Sequence, residues 1–476
     1  MKLTNLTQNL QAEYFGNNDV EICGIAYDSR KVKPGYLFVA IKGFETDGHK
    51  YIDSAIANGA TAVVGEDDVD CSVTYVKVPD SRKALAVCGA QFYDNPQNKL
   101  KIIGITGTNG KTTTTYLIRQ ILMLKGIRCD LIGTNQTIIG DEEIESSRTT
   151  PESLDLFECF YKMVQSGGEY VVMEVSSHSL DLDRVYGVTF ETALITNITQ
   201  DHLDFHKTMD NYAKAKAKLF AISKSGAANA DDEYASVIMA KATCPMTTYA
   251  IEADADIKAE NLKMSERGVI FDIKLNGEIR EIRLGIPGKF SVYNALGAIC
   301  VCLNIGIDIA DIEKGLVLAK SVKGRIEVVH TPTPYTVIID YAHTPDGLVN
   351  IISAVRGFAK NRVITVFGCG GNRDSSKRPQ MGKIAEDLSD IAIVTSDNPR
   401  CEKPMAIIED ILAGMQKTNH VVVENRKEAI RHAIQIAQEN DIIILAGKGH
   451  ETYQEIEHVK YDFDERTVVK EILAKI

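Results

Sequence analysis

Short apolar runs alternate with longer amphipathic stretches along most of the 476 residues. Residues 102–105 (Ile-Ile-Gly-Ile) form one such run and residues 170–173 (Tyr-Val-Val-Met) form another, and both are typical of buried strands. After the first run, Leu117, Ile118 and Ile121 recur at the spacing of one helix face. This alternation predicts an α/β fold with mainly parallel sheets.

The last third of the chain repeats strand, polar loop and helix. Four strands are predicted, at 336–339, 363–367, 391–395 and 442–445. Such repetition predicts a Rossmann-like, doubly wound sheet that binds ligands at the carboxyl ends of its strands. There we expect one charged rim formed by Arg373, Lys377, Arg378, Arg400, Lys448 and Glu451. The loops lack a G-x-G-x-x-G sequence, so a nicotinamide site is not indicated.

Two further patterns lie in the middle of the chain. Residues 245–287 alternate apolar and polar positions, which predicts a small antiparallel β insert. An apolar helix is predicted at 295–303, with Asn294 at its start, where it could be only a cap. The length favours about three domains. We place the boundaries after a polar linker at 93–98 and near residue 322, which gives domains 1–98, 99–322 and 323–476.

The composition, with 44% hydrophobic and 25% charged residues, is that of a globular protein. The net charge of -12 argues against binding to bulk nucleic acid or to an anionic membrane surface, so small molecules are the expected partners. The start shows no secretory signal, and no apolar run approaches the roughly 18 residues of a membrane span. Ten cysteines without a C-x-x-C pair fit a reduced, cytoplasmic protein.

Residues 104–112 (Gly-Ile-Thr-Gly-Thr-Asn-Gly-Lys-Thr) join the first predicted strand to the first long helix. This context predicts a phosphate-binding loop, in which backbone N–H groups and the helix N-terminus face the phosphates. Lys111 would lie against the β- and γ-phosphates of ATP, and Thr112 would offer its hydroxyl to Mg²⁺. The common spacing needs glycine at position 105, where Ile105 stands, so the loop is of a distinct type. The alternative is a turn that binds nothing.

Three other side chains are candidates for metal or phosphate chemistry. Glu174 ends a predicted strand, where a metal-binding carboxylate is expected, although it could be a surface turn acid. His202 stands between two aspartates and could ligate a metal or orient a phosphate, although a loop histidine is more often solvated. Lys216 lies between two aromatic residues on one face of a helix predicted at 209–222, where a lysine ordinarily extends to solvent.

Several motifs follow one another along the chain and carry a family resemblance. They are Asp-Ser-Arg at 28–30, Gly-Thr-Asn-Gly-Lys-Thr-Thr at 107–113, Thr-Thr-Pro at 149–151, Asp-His-Leu-Asp at 201–204, Asn294, Asp-Tyr-Ala-His-Thr-Pro-Asp at 340–346 and Gly-Lys-Gly-His-Glu at 447–451. Together they resemble the Mur ligases, ATP-dependent amide-forming enzymes of bacterial peptidoglycan synthesis. The resemblance implies a UDP-substrate-binding N-terminal domain, a central ATPase domain and a C-terminal amino-acid-binding domain, with a monomer expected.

The resemblance also implies a reaction and its residues. The γ-carboxylate of UDP-N-acetylmuramoyl-L-Ala-D-Glu would attack the γ-phosphate of ATP, and the amine of an amino acid would displace phosphate from the acyl phosphate. The implied ATP-binding residues are Gly107, Thr108, Asn109, Gly110, Lys111, Thr112, Thr113, Asn294, Arg325 and Asp340. The implied catalytic residues are Lys111, Glu174, His202 and Lys216, and the implied Mg²⁺ ligands are Thr112, Glu174, His202 and Lys216. Lys216 would act as a carbamate formed with CO₂, because an ammonium cannot ligate a cation.

Two substrate sites complete the resemblance. The implied contacts to the UDP-linked dipeptide are Ser29, His49, Thr149, Thr150, Ser176 and Arg184. The implied amino-acid contacts are Arg373, Asp397, Asn398, Arg400, Gly447 and Glu451. The Asp-Asn-Pro-Arg loop resembles members that add meso-diaminopimelate, whose second carboxylate an arginine can bind bidentately. The alternatives are the same ligase adding L-lysine, a folylpolyglutamate synthase-like ligase, and a nucleotide-binding regulator that ligates nothing.

Overall fold

The computed structural model describes residues 1–43, 46–265 and 268–475. They form an α/β protein with three main sheets, as the alternation of strands and helices predicts. Ile102, Ile103 and Ile105 are fully buried, because helices cover both faces of a mainly parallel sheet. No helix of the described residues is long and apolar enough to cross a membrane.

The N-terminal sheet has five strands in the order β1-β5-β4-β3-β2. The strands are β1 Glu13–Phe15, β2 Gly24–Ala26, β3 Tyr36–Val39, β4 Ala60–Gly65 and β5 Thr74–Lys77, and the helices are α1 Leu3–Thr7, α2 Ile52–Ala57 and α3 Ser81–Phe92. Strands β2 to β5 are parallel, and β1 is antiparallel to β5. Helices α1 and α3 pack on one face through Leu6 and Leu85, and α2 packs on the other through Ile52.

The central sheet has eleven strands in the order β16-β15-β14-β13-β12-β11-β6-β10-β7-β8-β9. The strands are β6 Lys101–Thr106, β7 Cys129–Ile132, β8 Gln136–Ile139, β9 Glu142–Glu145, β10 Tyr170–Glu174, β11 Thr192–Ile195, β12 Gly226–Asn229, β13 Met246–Ala250, β14 Ile257–Ser265, β15 Gly268–Leu275 and β16 Glu278–Leu284. The helices are α4 Lys111–Leu124, α5 Ser153–Gln165, α6 Ser177–Asp181, α7 Leu203–His206, α8 Met209–Ala221, α9 Ala235–Lys241, α10 Lys289–Asn304 and α11 Ile309–Val317. Helices α4, α10 and α11 pack on one face, and α5, α8 and α9 pack on the other.

Two predictions for this region need correction. Strands β14 to β16 are antiparallel as predicted, but β13 pairs in parallel with β12 and β14, so they extend the central sheet and are not a separate insert. Helix α10 begins at Lys289, directly after Gly288 with its positive φ of 97°, and not at residue 295. Asn294 therefore lies inside the helix and is not its cap.

The C-terminal sheet has six strands in the order β17-β18-β22-β19-β20-β21, and β23 and β24 form a separate hairpin. The strands are β17 Glu327–Val329, β18 Thr336–Asp340, β19 Val363–Phe367, β20 Ile391–Val394, β21 His420–Val422, β22 Ile442–Ala446, β23 Tyr453–Ile456 and β24 Val459–Asp462. The helices are α12 Pro345–Arg356, α13 Lys377–Leu388, α14 Pro404–Leu412, α15 Arg426–Ile436 and α16 Glu465–Leu473. Only β17 is antiparallel within the described sheet, and helices cover both faces, which confirms the doubly wound architecture.

Candidate active site

A cavity of about 1430 Å³ lies between the central and C-terminal sheets. Loops at the carboxyl ends of strands from both sheets line it, which is where α/β sheets bind ligands. The predicted site residues in its wall are Thr108, Asn109, Gly110, Lys111, Thr112, Thr113, Thr149, Glu174, His202, Asn294, Arg325, Asp340, Arg373, Asp397, Asn398, Arg400, Gly447 and Glu451. The structure therefore brings the residues predicted for ATP and those predicted for the amino acid to one place.

The phosphate-binding loop depends on two glycines with positive φ. Gly107 has φ 139°, and a Cβ there would lie 1.9 Å from Oγ1 of Thr196. Gly110 has φ 84°, and a Cβ there would lie 2.3 Å from Oδ1 of Asn294. Only glycine fits these two positions. Helix α4 then begins at Lys111, so its N-terminus faces the cavity and favours an anion there.

Two lysines, the half-buried Lys111 and the buried Lys216, converge on the backbone of this loop. Nζ of Lys111 donates hydrogen bonds to the carbonyl oxygens of Gly107, at 2.9 Å, and Thr108, at 2.8 Å. Nζ of Lys216 donates to the same Gly107 carbonyl at 2.8 Å and lies 4.5 Å from the ring centre of Tyr212. Lys216 is 1% exposed, so it does not extend to solvent. Burial holds the pKa of Lys216 well below its usual range, and the nearby Lys111 lowers it further.

Glu174 is fully buried at the end of β10, which rules out the surface-turn alternative. Its Oε1 accepts hydrogen bonds from the hydroxyl of Thr112 at 2.9 Å and from the N–H of Thr134 at 3.0 Å. Its Oε2 accepts one from the Thr134 hydroxyl at 2.8 Å. Among the described residues, these two threonines are the only donors to this carboxylate. A buried carboxylate and a hydroxyl in contact are the oxygen ligands that Mg²⁺ prefers, so these residues fit that ion.

His202 has a positive φ of 54°, just before α7, and faces the cavity. Its Nε2 lies 3.3 Å from Oδ2 of Asp201, and its ring centre lies 4.8 Å from that of His178. Burial lowers the pKa of the His202 imidazole, and His178 and Lys216 lower it further against the opposing effect of Asp201. The side chain is about half exposed, so a ligand in the cavity can reach its ring.

Arg325 connects the C-terminal sheet to the phosphate-binding loop. Its Nη2 donates a hydrogen bond to Oγ1 of Thr112 at 3.3 Å, and its guanidinium lies 4.8 Å from the ring centre of Tyr341. Asp340 accepts hydrogen bonds from the N–H groups of Ile326 and Ala342 at 2.8 and 2.9 Å. Burial raises the pKa of the Asp340 carboxyl, and Arg325 opposes this shift. These residues could hold a nucleoside beside the loop that holds its phosphates.

At the other end of the cavity, Asn398, Lys448 and Glu451 form a closed network. Nζ of Lys448 donates hydrogen bonds to Oδ1 of Asn398 at 2.8 Å and to Oε2 of Glu451 at 3.0 Å. Nδ2 of Asn398 donates to the same Glu451 oxygen at 2.9 Å. The N–H of Glu455 also donates to Oδ1 of Asn398, which determines how the amide is oriented. The Glu451 carboxylate is thus positioned to accept an ammonium group.

Arg400 lies beside this network with a positive φ of 51°. Its Nε donates a hydrogen bond to Glu455 at 3.1 Å and its Nη1 donates to the Gly371 carbonyl at 2.8 Å, which leaves part of its fork directed at the cavity. The predicted rim is only partly correct. Arg373, Lys377, Arg400 and Glu451 line the cavity, whereas Lys448 is fully buried beneath it. Arg378 turns away and forms ion pairs with Glu402 and Asp410.

Sequence reasoning missed Arg426, which is fully buried behind the Asp-Asn-Pro-Arg loop. Its Nε donates a hydrogen bond to Glu465 at 2.9 Å and its Nη2 donates to the Ala446 carbonyl at 2.7 Å, at the end of β22. Its Nη1 lies 3.7 Å from Asp397. Lys448 and Arg426 hold the pKa of the Asp397 carboxyl below its usual range against the opposing effect of burial. An arginine on a helix flanked by polar residues gave no sequence signal for this role.

The residues predicted for the UDP-linked dipeptide lie outside the cavity wall, apart from Thr149. Ser29 and His49 lie on short 3₁₀ helices beside the N-terminal sheet. Thr150, Ser176 and Arg184 are joined by hydrogen bonds to one another or to the Glu174 backbone. The Thr150 hydroxyl donates to the Glu174 carbonyl at 2.9 Å and accepts from the N–H of Ser176 at 3.0 Å, and Arg184 donates to the Thr150 carbonyl at 3.2 Å.

Three comparisons identify the relatives of the chain. The family models that match are the Mur ligase middle domain at 105–302, the Mur ligase glutamate ligase domain at 324–449 and the Mur ligase family catalytic domain at 21–94. UDP-N-acetylmuramoyl-L-alanyl-D-glutamate--2,6-diaminopimelate ligases of Clostridium botulinum and Bacillus licheniformis are 51% and 42% identical, over 100% of this chain and of their own.

Solved structures agree with this result. The structure of a 2,6-diaminopimelate ligase of the same name is 30% identical with a TM-score of 0.71, covering 100% of this chain and 99% of its own. Folylpolyglutamate synthase of Mycobacterium tuberculosis, in complexes with ADP and AMPPCP, has a TM-score of 0.64 at 18% identity and covers 77% of this chain and 92% of its own. The second likeness shows a shared fold alone.

Proposed function

The chain belongs to the Mur ligase family, and we propose that it is an ATP-dependent ligase that joins meso-diaminopimelate to UDP-N-acetylmuramoyl-L-Ala-D-Glu in peptidoglycan precursor synthesis. One observation carries the proposal: the phosphate-binding loop with Glu174 and the Arg400–Glu451 end line the same cavity. Relatives of this name at 51% identity over the full length support it. We further propose a cytoplasmic monomer with the domain boundaries given above.

In the first step, the γ-carboxylate of the D-glutamyl residue attacks the γ-phosphorus of ATP. A P–O bond forms and the β,γ-bridging P–O bond breaks. The products are ADP and an acyl phosphate on the D-glutamyl residue. The loop N–H groups and Lys111 hold the phosphates and neutralise their charge. Mg²⁺ held by Thr112 and Glu174 would stabilise the negative charge on the phosphate oxygens. Asn294, Arg325 and Asp340 bind the nucleoside.

In the second step, an amine of diaminopimelate attacks the acyl carbon. A C–N bond forms through a tetrahedral intermediate, the C–O bond to phosphate breaks, and the nitrogen loses a proton. Glu451 and Asn398 bind the distal amino-acid head of diaminopimelate, and Arg400 and Arg373 bind its carboxylate. Lysine lacks that second carboxylate, so Arg400 distinguishes the two amino acids.

Lys216 is proposed to carry a carbamate. Because burial lowers the pKa of its amine, more of the amine is neutral near pH 7 and can attack CO₂. An N–C bond then forms and a proton is released, which leaves an anion with two oxygens. That anion and His202 would join Thr112 and Glu174 as Mg²⁺ ligands.

The test mixes the protein with ATP, Mg²⁺ and UDP-N-acetylmuramoyl-L-Ala-D-Glu, and adds meso-diaminopimelate, L-lysine or no amino acid. Products are identified by mass, and ADP is measured in parallel. A product with diaminopimelate alone supports the proposal. A product with lysine would keep the ligase but overturn the role of Arg400. ATP hydrolysis that needs neither substrate would indicate a nucleotide-dependent regulator.

A further inference from the structure

Three arginines meet one buried carboxylate at the junction of the N-terminal and central domains. Glu152, just before α5, is 5% exposed. Nη1 of Arg82 on α3 donates to its Oε1 at 3.4 Å, and Nη1 of Arg148 donates to its Oε2 at 3.3 Å. Nε of Arg184 lies 3.2 Å from the same Oε2. We name these four residues the Glu152 cluster.

The Glu152 cluster has more positive than negative charge. Three guanidiniums face one carboxylate, and the next acid along the chain, Asp155, accepts a hydrogen bond from the Tyr27 hydroxyl at 2.6 Å. Burial lowers the pKa of Arg184, Glu152 opposes this, and Arg148 and Arg82 lower it further. The arginines therefore repel one another in the folded protein, and an anion bound among them would remove that repulsion.

The position of the cluster connects it to the proposed reaction. Arg184 donates a hydrogen bond to the carbonyl of Thr150, whose hydroxyl donates to the carbonyl of Glu174. On the opposite side, Nη2 of Arg82 donates to the carbonyl of Lys42 at 3.4 Å, in the N-terminal domain. Arg148 is about half exposed, and its side chain lines the large cavity. The cluster thus joins the N-terminal domain to the backbone beside Glu174, and a ligand in the cavity can reach it through Arg148.

We propose that Arg82 and Arg148 act with Arg184 as one oxyanion subsite for the UDP-linked substrate. This inference rests on the proposed function, in which the resemblance implies a role for Arg184 alone. The substrate offers two oxyanions between its uracil and its reacting carboxylate, namely the diphosphate and the free α-carboxylate of the D-glutamyl residue. A guanidinium group can bind either oxyanion through two parallel hydrogen bonds. The Glu152 carboxylate orients the three guanidinium groups and neutralises one of their three positive charges.

The test measures substrate binding by calorimetry without ATP or amino acid. Arg82→Gln and Arg148→Gln are compared with wild type, and Lys83→Gln is the matched control, because Lys83 neighbours Arg82 on α3 but pairs with Asp80. Each arginine variant is expected to weaken binding about ten- to a hundredfold, and the control less than twofold. Arg148→Lys, which keeps the charge but not the fork, is expected to lie between wild type and Arg148→Gln. KM for ATP and for diaminopimelate should not change.

A second ligand identifies the oxyanion. This ligand is the α-carboxamide analogue of the UDP-linked substrate. Its D-glutamyl residue keeps the γ-carboxylate, but an uncharged amide replaces the α-carboxylate. If the variants lose as much affinity for this analogue as for the substrate, the diphosphate occupies the subsite. If the loss disappears with the analogue, the α-carboxylate occupies it. Either result supports the subsite.

The outcome that overturns the inference is equal affinity, within twofold, of Arg148→Gln and wild type for the substrate. Arg148 is about half exposed, so this variant is expected to fold even if Arg82→Gln does not, and thermal unfolding checks both. A failure of the proposed function is seen in a different measurement: the wild-type protein would make no product with diaminopimelate.

Discussion

The two ends of the cavity use buried charge in different ways. At the nucleotide end, the amino groups of Lys111 and Lys216 donate hydrogen bonds to backbone carbonyls, and the Glu174 carboxylate accepts hydrogen bonds from uncharged donors. At the amino-acid end, charges pair with one another: Lys448 with Glu451, Arg400 with Glu455 and Arg426 with Glu465.

The difference follows from the ligands that each end is proposed to bind. ATP and Mg²⁺ bring strong charges, and Lys111, Lys216 and Glu174 are bonded to uncharged groups and not to one another. A zwitterionic amino acid brings little net charge, so the other end must be electrostatically balanced before binding and selects by geometry. The first end should therefore lose activity when a charge is removed, whereas the second should lose stability or specificity.

The largest expected effect is on the chemical step. Lys111→Met should lower kcat by roughly 10³-fold, because the ammonium no longer neutralises the phosphates, while the fold is retained. Initial rates with all three substrates saturating test this. Lys125→Met, at the other end of α4, is the control and should keep kcat within about twofold. A kcat of Lys111→Met close to wild type would show that the loop does not hold ATP as proposed.

The next effect is on stability at the amino-acid end. Arg426→Met should lower the free energy of unfolding by about 3–5 kcal/mol, because it leaves Glu465 and Asp397 as buried carboxylates without their partner. Arg426→Met combined with Glu465→Gln should recover part of this loss. Chemical denaturation followed by circular dichroism measures both. If the double variant is no more stable than the single one, the Arg426–Glu465 pair is not the source of the loss.

A smaller effect is expected on specificity. Arg400→Gln should raise KM for diaminopimelate about ten- to a hundredfold and leave KM for ATP unchanged, because a charge-assisted hydrogen bond to a carboxylate is lost. Lys403→Gln, an exposed position three residues on, should change neither KM. An equal rise in both KM values for Arg400→Gln would mean that the variant disturbs the whole cavity and not the amino-acid end alone.

The smallest effect is a pH dependence at the nucleotide end. The pKa of Lys216 is lower in the folded protein than its unfolded value, so folding releases a proton between those two values and stability rises with pH there. Across that window, wild type should gain up to about 1.4 kcal/mol per pH unit relative to Lys216→Met. Denaturation at pH 7, 8 and 9 in CO₂-free buffer measures the gain. Parallel curves for the two proteins would mean that Lys216 is not held at a lowered pKa.

Much of the fold could be predicted because its signals are local. The strand at 170–174 and the loop from Gly107 to Lys111 follow from apolar runs and glycine spacing within about ten residues. Local signals did not predict the first residues of α10. Lys289 to Tyr293 have no strong helical periodicity of apolar positions, so the predicted helix began too late. The C-terminal strands were predicted because a parallel sheet buried on both faces needs continuous apolar runs.

The candidate site also has features that the sequence predicts and features that only the tertiary structure shows. The sequence by itself determined which loops line the cavity, since strand ends and polar loops alternate in order along the chain. Only the tertiary structure decided that Asn294 faces Gly110, that Lys448 is buried and that Arg378 turns away from the cavity. The same holds for Arg426 and for the Glu152 cluster. These contacts join groups as far apart as Arg325 and Thr112, 213 residues along the chain, so their burial and pairing depend on packing that no local pattern encodes.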